Sequence, residues 1–214
     1  IMLGEAETVV AGGMENLSQS PHVLRDERTT YKLGRSPRKG EEIPRDMEDY
    51  FFTNLRDDVC GYFMAQTSDE LCKMLDVSRE DADSFAALSH QRAENSIRNG
   101  IWEDEIVEVI TPDGVLGSSH DDHVVIGTTI ESLSGLRTHF GPDSLVTAGN
   151  ASGVVDGAAA IVVKSGARAK SDGDSPLSRI ISWGIVGLDP KIMAHGPVPS
   201  LSLIHISEPT RLTS

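Results

Sequence analysis

Ser152 and Asp156 are the first residues whose types and spacing could do chemistry. They stand in Val146-Thr147-Ala148-Gly149-Asn150-Ala151-Ser152-Gly153, followed by Val154-Val155-Asp156-Gly157. A serine beside glycine could act as a nucleophile, but Gly149-Asn150-Ala151-Ser152-Gly153 is not the G-x-S-x-G elbow. Asp156 lies too near in sequence to be a convincing third member of a triad. The stretch reads instead as a small-residue loop whose glycines let the backbone come close to a ligand or to a packed neighbour. The local pattern leaves both readings open.

Three other groups could carry chemistry. Cys60 and Cys72 are too few for a disulfide framework, so reduced thiols are the simpler reading. Cys72 falls inside an expected helix and reads as a small core hydrophobe. His120-Asp121-Asp122-His123 could ligate a metal. Nothing nearby supplies further ligands at zinc spacing, so it reads as a surface turn and no metal is expected. Arg25, Arg28, Lys32, Arg35, Arg38, Lys39 and Arg45 are interleaved with Gly, Ser and Pro. This basic excursion could meet an anionic partner, and reads more simply as a solvated loop.

The elements that must position these residues follow from pattern. With 38% apolar and 24% charged residues over 214, a packed core is expected and wholesale disorder is not. A net charge of −14 argues against a nucleic-acid binder, which needs a basic face. No run approaches the roughly 18 apolar residues of a membrane span. Thr8 to Gly13 reads as a buried strand ending in a glycine turn, and Ala158 to Val163 as a strand buried on both faces. Thr67-Ser68-Asp69-Glu70 has the form of a capping box starting a helix to about Asp76. Ser78 caps a longer helix, with Ala82, Phe85, Ala86, Ala93 and Ile97 inward, Asp83, His90, Gln91 and Glu94 outward, and Gly100 at its end. Ile106 to Ile110 is a strand stopped by Thr111-Pro112-Asp113-Gly114, and Thr129 to Leu136 is helical. Arg168 to Asp174 is surface-like, Ser178 to Val186 a strand, and Gly196 to Pro199 a turn.

Several of these stretches together resemble the thiolases. They are Val10-Ala11-Gly12-Gly13-Met14-Glu15-Asn16-Leu17-Ser18, Ser78-Arg79-Glu80, Asp104-Glu105-Ile106-Val107, Val146 to Gly153, Asp156-Gly157-Ala158-Ala159, and Asp189-Pro190 with Gly196-Pro197-Val198-Pro199. They occur in thiolase order over residues 1–200. The resemblance implies an α/β fold, an α-β-α-β-α layered sandwich, here as an incomplete N-terminal half with an inserted loop domain. It implies part of the N-terminal core at 1–16, the loop domain over the coenzyme A site at 17–150, the return to the core at 151–176 and the start of the C-terminal core at 177–200. Residues 201–214 look like one reading frame of a sequencing-library adapter and are expected to be a non-native tail. The chain is expected to be an internal piece of a longer one.

The resemblance implies an acyltransferase acting on 3-ketoacyl-CoA and CoA, or the reverse Claisen condensation. Coenzyme A is then a substrate and no resident cofactor is implied. The family's nucleophilic cysteine would precede Ile1, and its histidine and second cysteine would follow Ser200, so no catalytic residue is assigned here. Binding residues do carry over. Ser152, with Gly153 behind it, matches the contact to the pantetheine arm. Ala148, Phe140 and Ser132 match neighbours of the adenine and pantetheine, and Leu55 and Met64 match apolar contacts near the acyl end. Two departures stand out. A nucleotide-binding arginine of the family would fall near Val125, and Phe63 stands where biosynthetic members usually have histidine. The latter leans toward a degradative enzyme with a more apolar acyl pocket. The rival reading is a non-catalytic thiolase-like acyl-CoA-binding or assembly protein. Expected partners are acyl-CoA and CoA, with a homodimer or homotetramer and no nucleic acid or membrane. The expected location is intracellular: the mitochondrial matrix in a eukaryote, the cytoplasm in a bacterium, or the peroxisome.

Overall fold

A computed structural model describes residues 1–24, 47–112, 114–116, 121 and 123–211. The basic excursion at 25–45 lies outside the described residues, as do His120 and Asp122. The chain divides into two compact units. One comprises Ile1–Arg56, Val154–Leu188 and His195–Ser214, and the other Asp57–Gly153 and Asp189–Ala194.

The first unit is built on a two-stranded antiparallel ribbon. Strand β1 (Thr8–Glu15) pairs with a later strand, Gly157–Lys164, in the register Thr8↔Lys164 to Glu15↔Gly157. Val9, Val10, Ile161, Val162 and Val163 are β-branched, which suits extended backbone. The strand does not turn at Gly12 and Gly13 but runs through them. A Cβ at Gly12 would lie 2.5 Å from the Ala159 carbonyl oxygen, so the strands meet closely there. Nor is the ribbon buried on both faces as expected, since Val10 is 71% and Val162 65% exposed. Among the described residues no third strand pairs with either edge. Asp156 closes one end of the ribbon: Ser18 donates to it from its backbone N–H at 2.8 Å and from Oγ at 2.6 Å.

Strands β2 (His22–Leu24) and β3 (Met47–Asp49) form a second antiparallel pair. Asp49 then caps helix α1 (Tyr50–Asn54) by accepting from Phe51 N–H at 2.9 Å.

The second unit is helical. Helix α2 (Met64–Leu75) begins one turn before the expected start at Thr67. Gln66 reaches back to accept the Phe63 N–H at 2.9 Å, while Thr67 donates to Met64 O within the helix. Helix α3 (Arg79–Arg98) has the expected cap: Ser78 Oγ accepts from Asp81 N–H at 3.1 Å, and Asp81 accepts from Ser78 N–H at 2.9 Å. Gly100 follows it with φ +64°, a conformation that favours glycine. Strands β4 (Val109–Thr111) and β5 (Gly114–Leu116) make a hairpin about the expected turn, starting later than the expected Ile106. Helix α4 (Ile130–Ser134) is capped by Thr129.

Back in the first unit, the second ribbon strand, β6 (Gly157–Lys164), runs into helix α5 (Gly166–Asp172), where the sequence reading had only polar surface. Ser165 Oγ caps it by accepting from Arg168 N–H at 3.1 Å. Residues 178–186 form no strand, because their alternating Ile181, Trp183 and Ile185 find no ladder partner among the described residues. The turn expected at 196–199 is instead the start of helix α6 (Pro197–Arg211), with proline where its missing N–H is not needed.

Gly12 and Gly13 offer a matched test. Gly12→Ala must push a methyl against the Ala159 backbone, whereas a Cβ at Gly13 meets nothing within 4 Å. In urea unfolding, Gly12→Ala is expected to lower stability by about 1–3 kcal/mol and Gly13→Ala to leave it unchanged or higher. Equal effects would contradict the close approach. A second test uses acid. The Ser18 hydroxyl holds the Asp156 carboxyl below its ordinary range, and Arg168 and then Lys164 do the same for Asp172. The unfolded chain therefore takes up protons first as pH falls. These contributions are complete above the unfolded carboxylate value of about 3.9 and are lost as pH falls through the lower folded values. The urea midpoint should fall steeply below about pH 4, and less steeply in Ser18→Ala.

Candidate functional site

The loop 144–153 in the second unit is held by two buried aspartates on two helices. Asp83 of α3 is only 1% exposed. Its Oδ2 accepts from Arg79 Nε at 2.7 Å and its Oδ1 from Asn150 Nδ2 at 3.0 Å. Asn150 Nδ2 also donates to Leu145 O at 2.8 Å, and its Oδ1 accepts from Thr147 N–H at 2.8 Å. Asp69 of α2, 8% exposed, accepts from Leu145 N–H at 2.8 Å. The inner face of α3 is therefore polar. Asp83 and Glu94, expected outward, are buried, while Phe85, expected inward, is 73% exposed. The physical reason is that α3 faces loop backbone, which offers N–H and C=O groups rather than apolar surface.

The rest of the site follows from this frame. Gly149 sits against Leu133 and Leu136 about α4: an added Cβ would be 2.5 Å from a methyl of each. The glycine thus serves packing, and it brings the loop beside Ser132, which is exposed in α4. The Ser132 hydroxyl donates to Thr129 O at 2.8 Å and accepts from Thr129 N–H. A bridge between Thr138 and Thr147, with His139 N–H donating to Val146 O at 2.8 Å, brings Phe140 to the other side of the loop. Phe140 stacks on Phe63 at 6.0 Å between ring centroids, and Met64 follows Phe63 at the exposed start of α2. Ala148, Ser152 and Gly153 are exposed. Among the described residues no hydrogen bond uses the Ser152 hydroxyl. Six of the seven residues singled out in the sequence thus lie in one unit. Leu55 belongs to the other, half-buried at the end of α1.

A shallow groove of about 250 Å³ opens in the same unit. It is lined by Tyr62, Gln66, Asp69, Glu70, Lys73, Phe140, Asp143 and Ser144.

The alternative nucleophiles fare poorly. Partial burial, and then the Asp69 charge, push the Cys72 thiol up, which disfavours the reactive thiolate. Cys60 lies in a turn whose backbone Asp57 fixes, accepting from Val59 and Cys60 N–H at 2.8 and 2.7 Å. Asp156 is engaged by Ser18 in the first unit. Sequence reasoning missed Asp83 as a positioning residue. Its one visible signal was the Arg79 to Asp83 spacing, since Asn150 lies 67 residues away.

Removing the Asp83 carboxylate would leave Arg79 and Asn150 without their shared acceptor. Asp83→Ala is expected to cost about 2–4 kcal/mol in urea unfolding. It should also speed amide hydrogen exchange at Thr147, whose N–H depends on Asn150. Unchanged protection at Thr147 would show that the loop does not hang on this carboxylate.

Comparison with known proteins completes the description. A model of the thiolase N-terminal domain matches residues 1–167. The acetyl-CoA acetyltransferase of Cupriavidus necator is 39% identical over 203 residues, 94% of this chain and 50% of that protein. The mitochondrial 3-ketoacyl-CoA thiolase of Homo sapiens is 38% identical over 204 residues, 94% of this chain and 49% of that protein. The crystal structure of human mitochondrial 3-ketoacyl-CoA thiolase in complex with CoA matches with a TM-score of 0.79 at 36% identity, covering 94% of this chain and 48% of that one. The chain spans about half the length of the curated relatives it matches.

Proposed function

The chain belongs to the thiolase family, and from that membership we propose that the whole protein is an acyltransferase: it cleaves 3-ketoacyl-CoA with free CoA into acetyl-CoA and a shortened acyl-CoA, or runs the reverse condensation. The observation that carries this is the family match over 1–167, which includes the outward-facing loop at Ser152 and Gly153. Relatives bearing the names acetyl-CoA acetyltransferase and 3-ketoacyl-CoA thiolase support it.

In this reading Ser152 and Gly153 meet the pantetheine arm. Ala148, Phe140 and Ser132 border the pantetheine and adenine, and Met64 and Leu55 lie toward the acyl end. The free hydroxyl of Ser152 suits a hydrogen bond to an amide, and the exposed thioether of Met64 suits an acyl chain. Phe63, stacked on Phe140, makes that end apolar and favours a degradative role. Coenzyme A is the substrate, and no resident cofactor is assigned. The nucleophilic cysteine, the histidine and the second cysteine are assigned outside this sequence. Assembly as a homodimer or homotetramer, and residence in the mitochondrial matrix or the bacterial cytoplasm, belong to the same proposal.

The test is product analysis. The whole protein, given a 3-ketoacyl-CoA and CoA, should yield two acyl-CoA products, and this chain alone should yield none. Acyl-CoA binding without turnover in either direction would instead make the protein a binder or assembly partner. Turnover by this chain that survives alkylation of Cys60 and Cys72 would overturn the placement of the catalytic groups.

A further inference from the structure

His123, expected in a surface turn, has its imidazole directly on the candidate loop. A Cβ added at Gly153 would fall 1.7 Å from Cε1, 2.0 Å from Nδ1 and 2.6 Å from Nε2 of His123. The ring occupies the space where any other residue at 153 would carry its side chain. This gives Gly153 a reason distinct from that of Gly149, which makes room for leucines.

The segment that follows His123 is held from behind. Segment 123–128 is tied to the polar face of α3 at three successive points. His90 Nδ1 accepts from Val125 N–H at 3.3 Å, Gln91 Nε2 donates to Thr128 O at 3.5 Å, and Glu94 Oε2 accepts from Gly127 N–H at 3.0 Å. Thr128 Oγ1 closes the turn by donating to Val125 O at 2.7 Å. The helix that aims the Ser152 loop through Asp83 therefore also aims His123 at it. The imidazole is exposed, and among the described residues neither ring nitrogen has a hydrogen-bond partner.

An imidazole with open nitrogens beside an exposed serine hydroxyl makes two adjacent polar contacts of different reach. The pantetheine arm of coenzyme A is a chain with two amides, which can use both. We propose that His123 is a second polar contact of the pantetheine arm: its ring N–H donates to an amide carbonyl next to the one served by Ser152, and Gly153 is the residue that admits the ring. This rests on the coenzyme A reading above.

The experiment is calorimetric titration of this chain with CoA and with phosphopantetheine, alongside nuclear Overhauser contacts between the His123 ring and the Gly153 α-protons. His123→Ala should weaken both ligands by roughly three- to tenfold, the worth of one hydrogen bond, and His123→Gln should recover part of it because an amide also donates. Gly153→Ala should weaken CoA similarly, and the two changes together should cost less than their product. Wild-type affinity in His123→Ala would overturn the inference alone. A penalty for CoA but none for phosphopantetheine would move the contact to the nucleotide and overturn it too. Absence of the ring contact to Gly153 would remove its structural basis. If the unmodified chain keeps that contact yet binds neither ligand, the coenzyme A reading falls with it.

Discussion

Of the buried carboxylates in the second unit, Asp83 is the one on which most depends. Burying Asp83 is costly unless its oxygens are fully engaged. Arg79 and Asn150 engage them, and each has further duties. Arg79 is the first residue of α3, where the helix dipole disfavours a cation. Its Nη2 nevertheless donates to Leu133 O and Leu136 O at 2.9 and 3.3 Å, adding a partner to carbonyls at and just beyond the end of α4. Asn150 shapes its own loop while holding it to α3. One carboxylate thus joins two helices and a loop that are remote in sequence.

This arrangement compensates for a thin apolar interior. Among the described residues, Ala86, Ala87 and Leu133 form the buried apolar cluster of the second unit. Two alanines let α4 approach α3 closely but bury little surface. The buried polar residues Thr67, Asp69, Asp83, Glu94, Thr128, Ser144 and Thr147 complete the interface. Hydrogen bonds are directional where apolar contacts are not. The loops are therefore fixed in register by partners and angles more than by surface area. In the first unit the situation is reversed: the β1–β6 ribbon is rich in apolar side chains and offers them to solvent on both faces.

What was legible in the sequence was local chemistry. The Ser78 cap, the glycine after α3 and the turn at 111–114 each depend on residues within a few positions, and each is where it was expected. The Thr67 box failed because Gln66 makes an equivalent reach one turn earlier. The inner face of α3 failed for a deeper reason. A rule that turns apolar residues inward assumes an apolar neighbour, and the neighbours here are the backbones of 125–128 and 145–150. The strand expected at 178–186 had the alternation of a strand without a partner to pair with. The α/β thiolase fold was legible because several short stretches kept family order, although no one of them was specific. The ring of His123 on Gly153 had no sequence signal, since a contact between residues thirty positions apart leaves no periodicity.

The shared attachment of 123–128 and 144–153 to α3 has an energetic consequence. Ordering a loop at the moment of binding subtracts from affinity. Here both loops become ordered when α3 docks, before any ligand arrives. A shift of α3 would disturb His90, Glu94 and Asp83 together, and with them both loops. The two loops thus share one rigid backing, and their relative placement is set by a single helix.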